Sequence, residues 1–304
     1  MEKSRITKIM NNWQLYLFIL IPVVYIIIFS YVPMAGVQIA FKRYNARLGM
    51  WGSPWVGFTN FIRFFNSYQF RRIITNTVSL SFLAIIVSFP IPVVFALLMN
   101  SIETLWLKKT CQTIVNLPHF ISVVVLVGML NQFLNNNTGL YGFLMREITG
   151  NYPSDLFSVP NNFRLMYVFS GVWQSFGWSS IIYLAALSGV NPELHEAAVI
   201  DGASRFQRVI HVDFPSILPT VTIMLILRMG SVMSIGFEKV FLMQNSINLP
   251  LSEVISTYVY KVGLTGTNDF SFSTAIGLFN SVINLVIIGS VNFLAGKIGE
   301  TSLW

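Results

Sequence analysis

Apolar residues in this chain gather in long unbroken runs instead of alternating with polar ones at period two, so helices are expected and strands are not. Six runs, at approximately residues 15–32, 78–99, 112–134, 165–189, 216–235 and 274–294, are long enough to cross a membrane, since a hydrocarbon core about 30 Å thick needs roughly 20 helical residues. None of the six contains Asp, Glu or Lys, and only the fifth contains an Arg. A bundle of spanning helices pairs all its backbone groups internally, as lipid demands. Pro22, Pro90, Pro92, Pro118 and Pro219 are expected to kink or start helices. The pattern predicts an all-α integral membrane protein with six transmembrane helices.

Composition agrees. Hydrophobic residues make up 54% and charged residues 10%, against about 25% charged in soluble domains, so there are too few charges to cover a globular exterior. With 26 Phe, one Cys and no three-residue Gly period, disorder, a disulfide scaffold and collagen are excluded. The net charge of +7 comes from 19 basic residues scattered among apolar runs, which excludes nucleic-acid binding. Lys3, Arg5 and Lys8 precede the first run, yet the run is too long for a signal peptide and Val32-Pro33-Met34-Ala35-Gly36 offers no A-x-A cleavage site. A retained helix with a cytoplasmic N-terminus follows, and six crossings return the C-terminus to the cytoplasm. Eight basic residues then fall on inner segments and ten on outer loops; the outer loops are about twice as long, so charge density favours this orientation modestly. The first external loop, 33–77, holds six basic and no acidic residues, with Trp51, Trp55 and apolar faces from Phe58, Ile62, Phe65, Ile73 and Ile74. A basic face against lipid headgroups and a docking face for a partner fit it equally.

The loop between the fourth and fifth runs is the most informative segment. Asn191 reads as an N-cap, Pro192 as the first helical residue, and Glu193 and Glu196 suit the positive helix start. Gly202 ends this short helix. Ser204 and Gln207 form a capping box for a second one, whose Phe206, Val209 and Ile210 share a face until Pro215 interrupts it. About ten residues at 1.5 Å each make roughly 15 Å, half a bilayer, so the first helix lies outside the hydrocarbon. Ala197, Ala198, Gly202 and Ala203 permit close approach by another surface, and Glu196, Asp201 and Arg205 suit a polar cleft of a cytoplasmic partner.

Glu196-Ala197-Ala198, Asp201-Gly202-Ala203 and the downstream Pro215 and Pro219 resemble the EAA loop of ABC-importer permeases, the element that docks on the ATPase subunit. Gly177-Trp178 to Leu187, Asn116-Leu117-Pro118-His119-Phe120 and Gly236-Phe237-Glu238 resemble the carbohydrate branch, in particular permeases of polysaccharide and complex-oligosaccharide importers. The likeness runs from Trp13 to Trp304, and the pair His211 and Asp213 departs from it, standing where many sugar permeases are more apolar. The resemblance implies a type I ABC-importer permease fold with a coupling helix between helices 4 and 5. It implies a single domain over 1–304, with a core of approximately 71–295 preceded by an extra helix at 15–32 and the external loop. The implied ATPase-coupling residues are Glu196, Ala197, Ala198, Asp201, Gly202, Ala203 and Arg205. A second similar permease, in a distinct chain, a cytoplasmic ATPase dimer and an extracellular solute-binding protein are the implied partners in a bacterial cell membrane, with surrounding lipid. No cofactor is implied.

Catalytic constellations are missing from the sequence. His119, His195 and His211 lack H-x-x-x-H spacing, no G-x-S-x-G elbow occurs, and Val291 stands where a phosphate loop ending Gly296-Lys297 needs its first Gly. ATP must be bound by another chain. Trp173, Gln174, Trp178 and Tyr183 in the fourth run, and Asn280 and Asn284 on one face of the sixth, are candidates for stacking on and hydrogen-bonding to a passing saccharide. Taken singly, each is more simply an interface marker or a link between helices. Arg228 stands apart: read near mid-depth of the fifth run, an unpaired charge there costs at least about 2.5 kcal/mol, so it is expected to face water, a partner or substrate. A secondary transporter or channel is the rival class, but it needs coupling carboxylates or an inverted repeat, and the spanning runs hold no Asp or Glu.

Overall fold

The computed structural model describes residues 12–299 and 302–303. The basic residues at 3, 5 and 8 and the terminal Trp304 lie outside them. The described residues are helical, and their one recorded β pairing is an isolated bridge between Lys42 and Trp55. The chain forms two compact units, one holding residues up to Asn66 together with Tyr260–Leu278, the other Ser67–Val259 and the residues from Phe279 onward.

In the first unit, helix α1 (Trp13–Ile26) runs through a π turn (Ile27–Tyr31) and a 3-10 segment to Phe41, with no buried residue in its apolar stretch. Lys42, only 3% exposed, donates to the Met50 carbonyl at 2.9 Å and lies over the rings of Trp51 and Trp55, 5.9 and 4.8 Å from their centroids. A buried ammonium is thereby hydrogen-bonded and paired with π-faces. Arg63 pairs with Asp269 at 2.5 Å and covers the Phe272 ring. Two of the six cations of the external loop are therefore engaged inside the unit.

The second unit begins with α2 (Tyr68–Ser88) and α3 (Pro90–Asn100), a 33-residue candidate span that passes over Pro90. Next come α4 (Leu105–Asn116) and α5 (Val123–Phe133), joined by the 3-10 turn Leu117–Phe120. They meet at 97°. The run at 112–134, expected to be kinked or restarted at Pro118, is a bent pair: Pro118 opens the turn, extended Ser122 caps α5 by accepting from Val125 N, and Gln174 Nε2 donates to the Ile121 carbonyl at 2.8 Å. Helix α6 (Asn162–Ser188) crosses close behind. At Gly177 a Cβ would stand 2.5 Å from the Val115 carbonyl, so only glycine lets α6 approach α4 this closely. Leu80, Val127, Phe163, Val168, Val240, Met243 and Val254 form one core cluster, and Val93, Ala96, Leu97, Tyr183, Leu187 and Ile217 another.

The cytoplasm-assigned loop forms α7 (Pro192–Ile200) and α8 (Arg205–Arg208); α8 continues through a π turn (Val209–Asp213) into α9 (Phe214–Met229). Pro215 therefore does not interrupt the helix as expected. It occupies the first turn of α9, where a missing N–H is tolerated, and the wide turn precedes it by two residues, as another precedes Pro33. The fifth run also ends earlier than predicted: α9 stops at Met229, residues 230–233 form turns and 234–236 are irregular before α10 (Phe237–Met243). The last long helix is α11 (Phe270–Gly299).

Among the described residues, four helical stretches are long and apolar enough to cross a membrane (Trp13–Phe41, Tyr68–Asn100, Arg205–Met229 and Phe270–Lys297), and the bent pair α4–α5 makes a fifth if it is one span. The 27 residues of α6 make it about 40 Å long. Length suffices, but its Ser, Gly, Trp and Gln residues dilute its hydropathy.

Candidate functional site

Local chemistry shapes the α7–α8 unit. Asn191 Oδ1 accepts from Glu193 N at 3.1 Å, capping α7 with Pro192 in first position. At the other end Gly202, at φ +77°, closes the helix: Ala203 N donates to the Ala198 carbonyl at 2.9 Å and Gly202 N to the Val199 carbonyl at 3.0 Å. This is a Schellman termination, which requires the left-handed conformation that glycine adopts freely. Ser204 and Gln207 form both bonds of the capping box, Ser204 N donating to Gln207 Oε1 at 2.7 Å and Gln207 N to Ser204 Oγ at 3.3 Å.

No residue of α7 is buried. Ile200 is 85% exposed and Phe206, in α8, 73%. Of the seven expected coupling residues, Glu196, Ala197, Asp201, Gly202 and Arg205 are exposed, while Ala198 and Ala203 are partly covered. Arg205 also has a partner within the chain, Glu103 at 2.9 Å. Against the unit lies a cavity of about 470 Å³ of mixed lining, in which Asn100, Glu103, His195, Arg205, Arg208 and Asp213 stand beside apolar residues such as Leu187 and Val190. Asp213, 3% exposed, has His195 Nε2 within 3.2 Å of its Oδ1 as an ion-pair contact, whereas His211 Nδ1 faces the Gln207 carbonyl. Sequence reading grouped Asp213 with His211 because they are neighbours; the helix turns them to different partners.

The second candidate region surrounds the break after α9. Arg228 stands in the last turn of α9 and not in mid-helix, so the expected position within a longer helix is corrected. It borders two cavities, one of about 250 Å³ with Ser81, Tyr167, Ser231 and Ser234, the other of about 190 Å³ with Ser175, Ser179 and Tyr183. Both present hydroxyls beside a guanidinium. Asn284 Nδ2 donates to Ser234 Oγ at 2.8 Å, Asn280 Nδ2 reaches the same hydroxyl at 3.5 Å, and Asn280 Oδ1 is buried without a hydrogen-bond partner. Arg228, Asn280 and Asn284 therefore share one neighbourhood. Trp173 instead borders an apolar cavity with Leu130, Phe133 and Phe169, Gln174 pins the α4–α5 bend, and Trp178 stacks on His119 with ring centroids 4.5 Å apart. Ser81, Tyr167, Ser231 and Ser234 went unnoticed in the sequence, although hydroxyls inside apolar runs were visible there.

Comparison with known proteins identifies the class. The sequence profile described as "Binding-protein-dependent transport system inner membrane component" matches residues 64–300. Protein LplB of Bacillus subtilis (strain 168) is 41% identical over 294 residues, 97% of this chain and 92% of that protein. The polygalacturonan/rhamnogalacturonan transport system permease protein YteP of the same organism is 38% identical over 303 residues, 100% of this chain and 94% of that one. A chain in the crystal structure of a bacterial alginate ABC transporter, in complex with alginate pentasaccharide-bound periplasmic protein, superposes with a TM-score of 0.89 at 36% identity, covering 99% of this chain and all of that one.

Proposed function

The chain belongs to the family of inner membrane components of binding-protein-dependent transport systems, and from that premise we propose that α7 is the element through which a cytoplasmic ATPase drives transport. The chain is a membrane permease component of an ABC importer and not an enzyme. The observation carrying the docking reading is that α7 is capped at both ends by its own side chains and backbone and buries none of its residues. A preformed helix with an exposed face pays little ordering entropy on binding. Glu196, Ala197, Ala198, Asp201, Gly202, Ala203 and Arg205 form the docking surface.

Complex saccharides are the substrate, and acidic ones fit best: YteP is named for polygalacturonan and rhamnogalacturonan, the structural neighbour for alginate. Arg228, Asn280 and Asn284 line the path, whereas Trp173, Gln174 and Trp178, though on α6, meet other partners and are not assigned to it. Counting α6 and the bent pair as crossings gives six, with both termini cytoplasmic and the whole chain acting as one permease domain in the lipid bilayer. A distinct second permease completes the path, two ATPase subunits power it, and an extracellular binding protein delivers the sugar. The test is co-purification. Glu196→Lys combined with Ala198→Trp is expected to leave the chain inserted while its association with the ATPase and saccharide uptake fall together; retention of both overturns the docking surface.

A further inference from the structure

Asp213 occupies an unusual place. It ends the π turn that joins α8 to α9, it is almost wholly buried, and its Oδ1 accepts a hydrogen bond from Asn100 Nδ2 at 3.2 Å while His195 Nε2 stands 3.2 Å from the same oxygen in an ion-pair contact. These partners come from different elements: His195 from α7, Asn100 from the last residue of α3. A carboxylate withdrawn from water must keep its polar partners, and losing one leaves it with an uncompensated desolvation cost. No residue of α7 is buried, so apolar packing holds this helix only weakly, and its one ion-pairing side chain turned inward is His195. The other strut, Arg205 with Glu103, is exposed on both sides at 67% and 76% and is screened by water.

We propose that His195 and Asp213 form a mechanical pin that transfers displacement of α7 to α3 and α9, which makes His195 a positioning residue for transport. The inference rests on the reading of α7 as the docking helix. When α7 moves, Asp213 either follows it or gives up a polar partner inside the protein, so the turn at the head of α9 moves with α7. Glu103, Glu196, Arg205 and Arg208 stand around the same cavity and supply charge of both signs, but the direct contact between α7 and the buried carboxylate belongs to His195.

The experiment uses the complete transporter in lipid vesicles, with its ATPase and binding protein, and reads saccharide imported per ATP hydrolysed, with complex yield measured beside it. His195→Leu, which removes the polar contact with Asp213, is expected to lower that ratio about fivefold or more, the lower range of coupling between sites. His195→Gln, which keeps an N–H for Asp213, is expected to stay within about twofold of the unmodified complex. Asp213→Leu removes the oxygen that both His195 and Asn100 meet and is expected to lower the ratio at least as far, and adding His195→Leu to it is expected to change nothing further, since the partner of His195 is already gone. The pin is overturned if Leu and Gln at His195 behave alike, or if the two single losses multiply in the double variant. Should Asp213→Leu reduce complex yield, the contrast between Leu and Gln at His195 decides alone. Insensitive His195 variants in a transporter that still loses its ATPase through Glu196→Lys with Ala198→Trp remove the pin and leave the docking surface; insensitivity of both removes the docking surface itself.

Discussion

The side-chain oxygen of Asn284 accepts a hydrogen bond from the backbone N–H of Met233 at 2.9 Å, while its nitrogen donates to Ser234 Oγ. One amide on α11 thus caps the chain where α9 has ended. Asn284→Leu leaves a backbone donor unpaired at a cost of about 1–3 kcal/mol. A lower thermal midpoint of the purified complex is expected together with reduced uptake per surviving complex, since the same amide lines the path; a lower midpoint with unchanged uptake per complex would leave Asn284 a structural link and remove it from the path.

Gly202 sits at φ +77°. Alanine there costs about 1–2 kcal/mol, and proline cannot adopt the angle at all. Gly202→Pro is expected to leave the spanning helices inserted but to abolish ATPase co-purification and uptake, with Gly202→Ala intermediate. Protease mapping in membrane vesicles separates insertion from coupling.

Arg228 offers charge among hydroxyls of Ser81, Tyr167, Ser231 and Ser234. Arg228→Gln is expected to reduce uptake while complex yield stays normal, and to reduce it more for uronate-containing than for neutral oligosaccharides of equal length. Competition uptake with the two labelled sugars reads this; a parallel loss for both removes the charge from recognition, and a fall in yield makes the contact structural.

Lys239 lies in α10, outside the spanning helices, where burial lowers its pKa to about 8 while its Nζ donates to the Tyr167 carbonyl at 2.9 Å. The folded pKa is below the unfolded one, so between about pH 8 and pH 10.5 the unfolded chain holds more protons and stability rises with pH. Below pH 8 the burial cost is present in full. Lys239→Met is therefore expected to raise the thermal midpoint at pH 7, with an advantage that shrinks as pH rises through this window. A constant difference across pH would show that the ammonium is not what the variant relieves.

Purified alone, the chain is expected to hydrolyse no ATP, because nothing in its sequence forms a phosphate-binding loop. Turnover from a preparation shown by mass spectrometry to lack other subunits would end that division of labour.

What was legible in the sequence is what local chemistry decides. Asn191, Gly202, Ser204 and Gln207 act on residues two to five positions away, so α7 and its capping box follow from the letters. The end of α9 does not. Hydropathy runs on through Val232 and Met233, and the break is held by distant partners: Ser81 Oγ donates to the Val232 carbonyl and Asn284 accepts from Met233. The bend at Ile121 was half legible, since Pro118 announced a disturbance but Gln174, fixing its place, is 53 positions away. For the same reason Asp213 was read beside His211 and not opposite His195.

The stretch from Arg205 to Met229 is helical without a gap, so one helical path of about 35 Å joins the edge of the α7–α8 unit to Arg228. Such a length has leverage. Pivoted near the Asp213 turn, a tilt of about 5° moves the guanidinium end by roughly 2 Å, enough to open or shut a hydrogen bond whose useful range spans about half an ångström. A small rotation at the head of this helix is thereby enlarged at the two hydroxyl-lined cavities that Arg228 borders.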